Sequence, residues 1–144
     1  RELAASIVSP WADPSRLKLV DSQPKAAIGK LLANLALAIS AEGMKEALLF
    51  GDATGLTAAE TLDLLDSTGL SFMANLKRDF VLGDRSTDPG DFTVDALCKD
   101  SKLMLDTAGQ VLPGIQAAVE SFTIQQDHGR GDHDFSAILV HRSE

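Results

Sequence analysis

The stretch "AAIGKLLANLALAISA", Ala26–Ala41, decides how the rest of the chain is read. It is too long for an ordinary strand and is built from Ala and Leu, strong helix formers with little β preference. Pro24 suits the first turn of a helix, with Asp21 or Ser22 near its cap. No proline follows until Pro89, so a helix is predicted from Lys25 to Phe50, with Gly43 its weakest point. Its length is about 39 Å at 1.5 Å per residue. Because the stretch is apolar on nearly every side, it is expected to be a central, buried helix. Lys30 and Asn34 interrupt it. At i and i+4 they share one face, and burying either without a partner costs several kcal/mol, as a rough figure. A lysine ringed by Ile28, Leu31 and Leu32 should have its charged form disfavoured, which suits a proton shuttle. On pattern alone a packing explanation stays open: the lysine stem snorkels and the amide bonds to a neighbouring loop.

Shorter elements follow. "TAAE", Thr57–Glu60, has capping-box spacing. It opens a short helix with Leu62, Leu64 and Leu65 inward, stopped at Ser67–Gly69. Ser71 is the expected cap of a further helix through Phe72, Met73, Leu76 and Phe80. "LGDRSTDPGD", Leu82–Asp91, is a loop. Phe92–Ala108 reads as helix, with Leu97, Leu103 and Leu105 among charges and Gly109 as its stop. Pro113 opens another helix to about His128. "GRGDHD", Gly129–Asp134, is a turn, after which Asp132 or Asp134 caps a last helix to Val140. Residues 1–24, with two prolines in "SPWADPS", read as irregular. Nothing reads as a strand. The predicted class is all-α, one long central helix wrapped by shorter ones.

Composition narrows the function. Of 144 residues, 44% are hydrophobic, enough for one domain with its own core. Thirteen Lys and Arg face twenty-one Asp and Glu, a net charge of −8 with no basic cluster, which argues against nucleic acid or an anionic membrane surface as partner. No segment reads as long enough to span a bilayer, since Asn34 and Ser40 break the longest apolar run. The single cysteine, Cys98, cannot form an internal disulfide and reads as a small buried hydrophobe. It fits a reducing, cytoplasmic setting. "DHGRGDHD", Asp127–Asp134, lacks recognised metal-ligand spacing, so no metal site is expected. Its Arg-Gly-Asp is too short to signify adhesion. The one G-x-G, Gly129–Gly131, has Asp134 three positions on, so no dinucleotide fingerprint is present. By itself the sequence reads as an incomplete enzyme, starting with Arg rather than Met.

Taken together and in order, several short elements resemble the C-terminal helical domain of the β-hydroxyacid dehydrogenases. This is the 3-hydroxyisobutyrate dehydrogenase and tartronate semialdehyde reductase group, related to 6-phosphogluconate dehydrogenase. "KLLAN", Lys30–Asn34, resembles the family's catalytic stretch. "EALLFGDATGLTAAETLDLLDSTGLS", Glu46–Ser71, resembles its next helix pair. "DFTVDALCKD", Asp91–Asp100, resembles the segment in which a phenylalanine precedes a Lys-Asp pair. "LPGIQAAVESF" with "GRGDHDFSAIL" resembles its ending. The resemblance covers about residues 20–141. It implies that Lys30 is the proton donor or acceptor at the substrate hydroxyl, and that Asn34 holds substrate or lysine. It further implies that Lys99 reaches the cofactor and that Phe92 and Asp100 line the substrate pocket.

The implied activity is hydride exchange between NAD or NADP and a 3-hydroxyacid-like substrate. The cofactor would be bound mainly by a Rossmann domain that this sequence lacks, and the fragment alone would be inactive. A homodimer is implied too. Residues 1–24 are then an interdomain connection or its remnant, and 25–144 the helical substrate and dimerisation domain. Pro24 and Ala26 stand where the family usually has glycine, and Ala33 where it often has asparagine. Two rival readings are a helical dimerisation or ligand-binding module without catalysis, and an imine-reducing relative.

Overall fold

In the computed structural model, residues 2–11, 13, 15 and 17–144 are described, Glu2 by its backbone alone. The helices among them are α1 (Glu2–Val8), α2 (Gln23–Thr54), α3 (Ala58–Leu65), α4 (Ser71–Leu82), α5 (Val94–Ala108), α6 (Pro113–Asp127) and α7 (Ala137–Val140). Among the described residues the only β pairing is an isolated bridge between Thr93 and Asp134. The all-α class is therefore as read from sequence. The chain divides into two compact units, residues 1–32 and 33–144.

The first unit corrects one expectation. Residues 1–24 are not irregular throughout: Glu2–Val8 is helical, followed by a 3-10 turn at Ser9–Trp11. "ELAASIV" supplies good helix formers, and Ser6 Oγ donates to the Leu3 carbonyl at 2.8 Å. Pro14, half of the expected Asp-Pro turn, lies outside the described residues. Asp13 accepts the N–H and the hydroxyl of Ser15 at 2.9 and 2.7 Å, a local turn bond. At the start of α2 the Ser22 hydroxyl lies 3.5 Å from the Lys25 N–H, and Pro24 occupies the first turn as expected. The sequence-based picture of Ala26–Ala41 as buried all round fails here. Ile28 is 51% and Leu32 59% exposed.

In the second unit α2 buries one face, through Ala38, Ala41, Met44, Leu48 and Gly51. The spacing of three and four residues is that of an apolar stripe. Gly43 does not interrupt it. α5 turns Val94, Leu97, Cys98, Ser101 and Met104 inward, and α6 turns Ile115, Ala118, Phe122 and Gln125 inward. Cys98 is buried, as expected. At 32 residues α2 does pass the length and hydropathy test for a membrane-crossing helix, contrary to the expectation above. Asn34 and Ser40 dilute the run without dropping its mean hydropathy far enough. The C-terminal part of this helix is tied to the second unit: Lys45 Nζ donates to Ser121 Oγ of α6 at 2.8 Å, and Arg142 donates to both oxygens of Asp52 at 2.8 and 3.1 Å.

The caps explain the boundaries. Thr57 and Glu60 form the predicted capping box, with Glu60 N–H to Thr57 Oγ1 at 3.2 Å and Thr57 N–H to Glu60 Oε2 at 2.8 Å. Leu62 is buried but Leu64 points outward, 63% exposed, because a two-turn helix has one inward stripe and Leu62 and Leu65 occupy it. Ser71 is the first residue of α4 rather than its cap. Met73, Ala74, Lys77 and Phe80 make the buried face of that helix, leaving Phe72 and Leu76 exposed. Thr93, not Phe92, sets the start of α5, its Oγ1 accepting the Ala96 N–H at 3.2 Å. Gly109 ends α5 with φ +61°, a left-handed cap that suits glycine. Neither Asp132 nor Asp134 is the N-cap of α7. That position is Ser136, although Asp134 Oδ1 accepts the Ser136 N–H at 2.9 Å.

The turn 130–136 is laced to the segment 87–95. Gly90 N–H donates to Asp132 O, Val94 N–H to His133 O, Asp95 N–H to Gly131 O and Phe135 N–H to Phe92 O. This lacing is close enough that a Cβ at Gly90 would fall 2.5 Å from Asp134 N and 2.6 Å from His133 C. Those are backbone atoms that cannot swing aside, so position 90 requires glycine.

Candidate functional site

Asn34 and Asp100 are 66 residues apart in sequence and adjacent in space. Asn34 Nδ2 donates to Asp100 Oδ2 at 2.7 Å. Asp100 lies on the inward side of α5 and is only 4% exposed, so its carboxylate is a fixed acceptor. The bond also fixes the amide. With Nδ2 committed to a carboxylate, Oδ1 of Asn34 is the end available to accept a hydrogen bond. The next residue, Lys99, faces outward. Its side chain is 78% exposed, with Nζ 3.9 Å from Asp100 Oδ1.

Lys99 and Lys102 stand one turn apart on the rim of an open groove of about 520 Å³, which is also lined by Asp95, Cys98, Asp106 and Gln126. Gln126 Nε2 donates to Asp95 Oδ1 at 2.6 Å, holding α6 to α5 at the groove floor. The two ammonium groups, Lys99 and Lys102, are matched around the groove by two carboxylates, Asp95 and Asp106, so its lining carries no net charge.

Phe92 is half-buried just before α5. Its ring meets that of Phe135 edge to face, centroids 6.1 Å apart. Lys30 falls in the first unit and is exposed. The burial expected for it is not seen among the described residues, where its neighbours Ile28 and Leu32 are themselves exposed. Of the residues singled out by sequence, then, Asn34, Asp100 and Lys99 share one neighbourhood of the second unit, and Phe92 packs against the turn that follows α6.

Sequence reasoning missed one pair. Lys77 of α4 donates to Asp134 Oδ1 at 2.7 Å, and both side chains are buried. The Lys77 ammonium also stands 4.0 Å from the Phe135 ring centre and 4.8 Å from that of Phe80. Burial is the largest influence on Asp134 and pushes its carboxyl up. The bonds from Lys77 and Ser136 together outweigh it and hold the carboxyl below its usual value. The available signal was a lysine three residues before Phe80 on the apolar face of a predicted helix.

Residues 25–141 match the family described as the NAD-binding domain of NADP-dependent 3-hydroxyisobutyrate dehydrogenase, and the chain belongs to that family. Among solved structures it is similar to the 3-hydroxyisobutyrate dehydrogenase of Mycobacterium tuberculosis, determined with L-serine. The TM-score is 0.61 at 20% identity, over 81% of this chain and 43% of that one. The chain thus spans less than half the length of that enzyme, and at this identity the likeness concerns the fold alone. No curated protein matches the sequence.

Proposed function

We propose that the chain is the helical half of an NAD(P)-dependent β-hydroxyacid dehydrogenase. In this reading residues 1–24 connect it to a nucleotide-binding domain in the longer protein. The bond from Asn34 to the buried Asp100 carries the reading, because it unites two sequence elements that separately resemble the family. The cofactor, when bound, accepts or returns a hydride at the carbon bearing the substrate hydroxyl. Lys30 takes the hydroxyl proton as the carbonyl forms, and returns it in the reverse direction. Such acid–base help is worth about 10² to 10⁴ in rate. Asn34 Oδ1 accepts a hydrogen bond from the substrate hydroxyl or the lysine, and Asp100 keeps that oxygen turned the right way. Phe92 lines the substrate pocket, and Lys99 and Lys102 meet the anionic edge of the cofactor.

A double-mutant cycle in the full-length enzyme tests this reading. Asn34→Ala is expected to cost about tenfold to a hundredfold in kcat/KM through lost orientation. Asp100→Ala should cost a similar amount, and the double variant little more than either alone, since both remove one device. Fully multiplicative losses would separate Asp100 from Asn34 and sink the assignment.

We also propose a homodimer. The apolar side chains left uncovered on and beside α2 in the second unit, Ile39, Phe50 and Leu64, favour association with a second copy. Sedimentation equilibrium of this chain at micromolar concentration should report a mass of two chains. A single-chain mass at every concentration would count against it.

A further inference from the structure

The buried pair Lys77–Asp134 has no part in the chemistry above, and filling a core is not its evident use. Apolar residues of similar volume often fill such a space as well as an ion pair does. What an apolar pair lacks is direction. Asp134 Oδ1 accepts from Lys77 Nζ at 2.7 Å and from the Ser136 N–H at 2.9 Å, while Oδ2 faces the Phe92 N–H at 3.4 Å. The carbonyl of the same Phe92 accepts the Phe135 N–H at 2.9 Å. The backbone of Phe92 thus meets Asp134 at its N–H and the next residue, Phe135, at its carbonyl. Its ring rests against Phe135, whose face lies 4.0 Å from the Lys77 ammonium. The Asp134 N–H donates to Thr87 O at 2.7 Å, which ties down the loop leading into Phe92.

We propose that Lys77 and Asp134 are positioning residues that hold Phe92 in place on the substrate side of the candidate site. The proposal rests on the reading that gives Phe92 a place in the substrate pocket. A residue held at its N–H, its carbonyl and one ring edge presents the remaining ring surface in one orientation. Loosening the aspartate releases the N–H first.

The test compares Phe92→Ala, Asp134→Asn, Lys77→Arg and the double variant Phe92→Ala/Asp134→Asn in the full-length enzyme, at a temperature where circular dichroism shows each folded. Asp134→Asn is expected to raise KM for the hydroxyacid by about tenfold while kcat changes by less than about threefold, as misplacement of a binding surface does. Lys77→Arg keeps the cation and should stay near the parent KM. The double variant should be no worse than Phe92→Ala alone. Losses that multiply in the double variant would overturn the proposal while leaving Phe92 in the pocket. An unchanged KM in Phe92→Ala would overturn the place given to Phe92, and the proposal with it. Should Asp134→Asn not fold within the longer enzyme, amide exchange in the 144-residue Lys77→Met chain, at a temperature where it is folded, reads the hold directly. Exchange at Phe92 rising above that at Leu97 of α5 supports the proposal. An equal rise at both sites means the pair only stabilises the fold, and overturns it.

Discussion

Replacing Lys30 by methionine in the full-length enzyme is expected to lower kcat and kcat/KM together by about 10²-fold or more. The two fall together because proton transfer belongs to the transition state and not to substrate binding. The fold should survive, since Lys30 is exposed in this chain and methionine suits its apolar neighbours Ile28, Leu31 and Leu32. Lys30→Ala should be equally slow, and partly restored by a small primary amine such as ethylamine, which can enter the space left behind and carry the proton. A Lys30→Met enzyme with near-normal kcat would return the residue to the bland explanation, a lysine stem lying along an apolar helix.

The second large effect is on stability. Lys77→Met leaves Asp134 as a buried carboxylate without its cation, a loss of about 3–5 kcal/mol. For a chain of this size that lowers Tm by roughly 10–15 °C. Adding Asp134→Asn removes the stranded charge while keeping an acceptor for the Ser136 N–H, so the double variant should recover much of the loss. The same pair sets an acid limit. Because the Asp134 carboxyl is held below its usual value in the fold, its contribution is fully present above the unfolded value of 3.8 and is lost as pH falls through the lower folded one. Thermal melts across pH 2–6 should therefore show a smaller acid-induced drop in Lys77→Met than in the parent chain. A Lys77→Met chain melting within a few degrees of the parent would mean that the pair's solvation cost cancels its worth.

Local signals carried most of the fold. Pro24, the Thr57/Glu60 box, Gly109 and Pro113 mark helix ends by their own backbone chemistry, and α2, α3, α5 and α6 lie where those signals put them. Burial was legible only in part. Leu64 was read as inward because a hydrophobic residue on a helix invites that reading, yet it faces away from the one stripe its short helix buries. Likewise, apolar composition in α2 did not tell an interior segment from one left open. Ile28 and Leu32 have the same side chains as a core residue, yet both stay exposed among the described residues. The Asn34–Asp100 bond was legible only as two separate motifs in family order, since nothing local links residues 66 apart. Lys77 and Asp134 are 57 apart; Lys77 was not singled out, and Asp134 was read only as a candidate cap. Their pairing depends on how α4 docks against the turn 130–136, which no periodicity encodes.

The most direct test of the account follows one hydrogen atom. The full-length enzyme is given a 3-hydroxyacid deuterated at the carbon bearing the hydroxyl, together with NAD or NADP, and the reduced cofactor is examined by NMR. The account predicts deuterium at the nicotinamide C4 position, on one face only, at a rate that falls about 10²-fold or more in Lys30→Met. Reduced cofactor free of deuterium, or transfer at the parent rate in Lys30→Met, would contradict it.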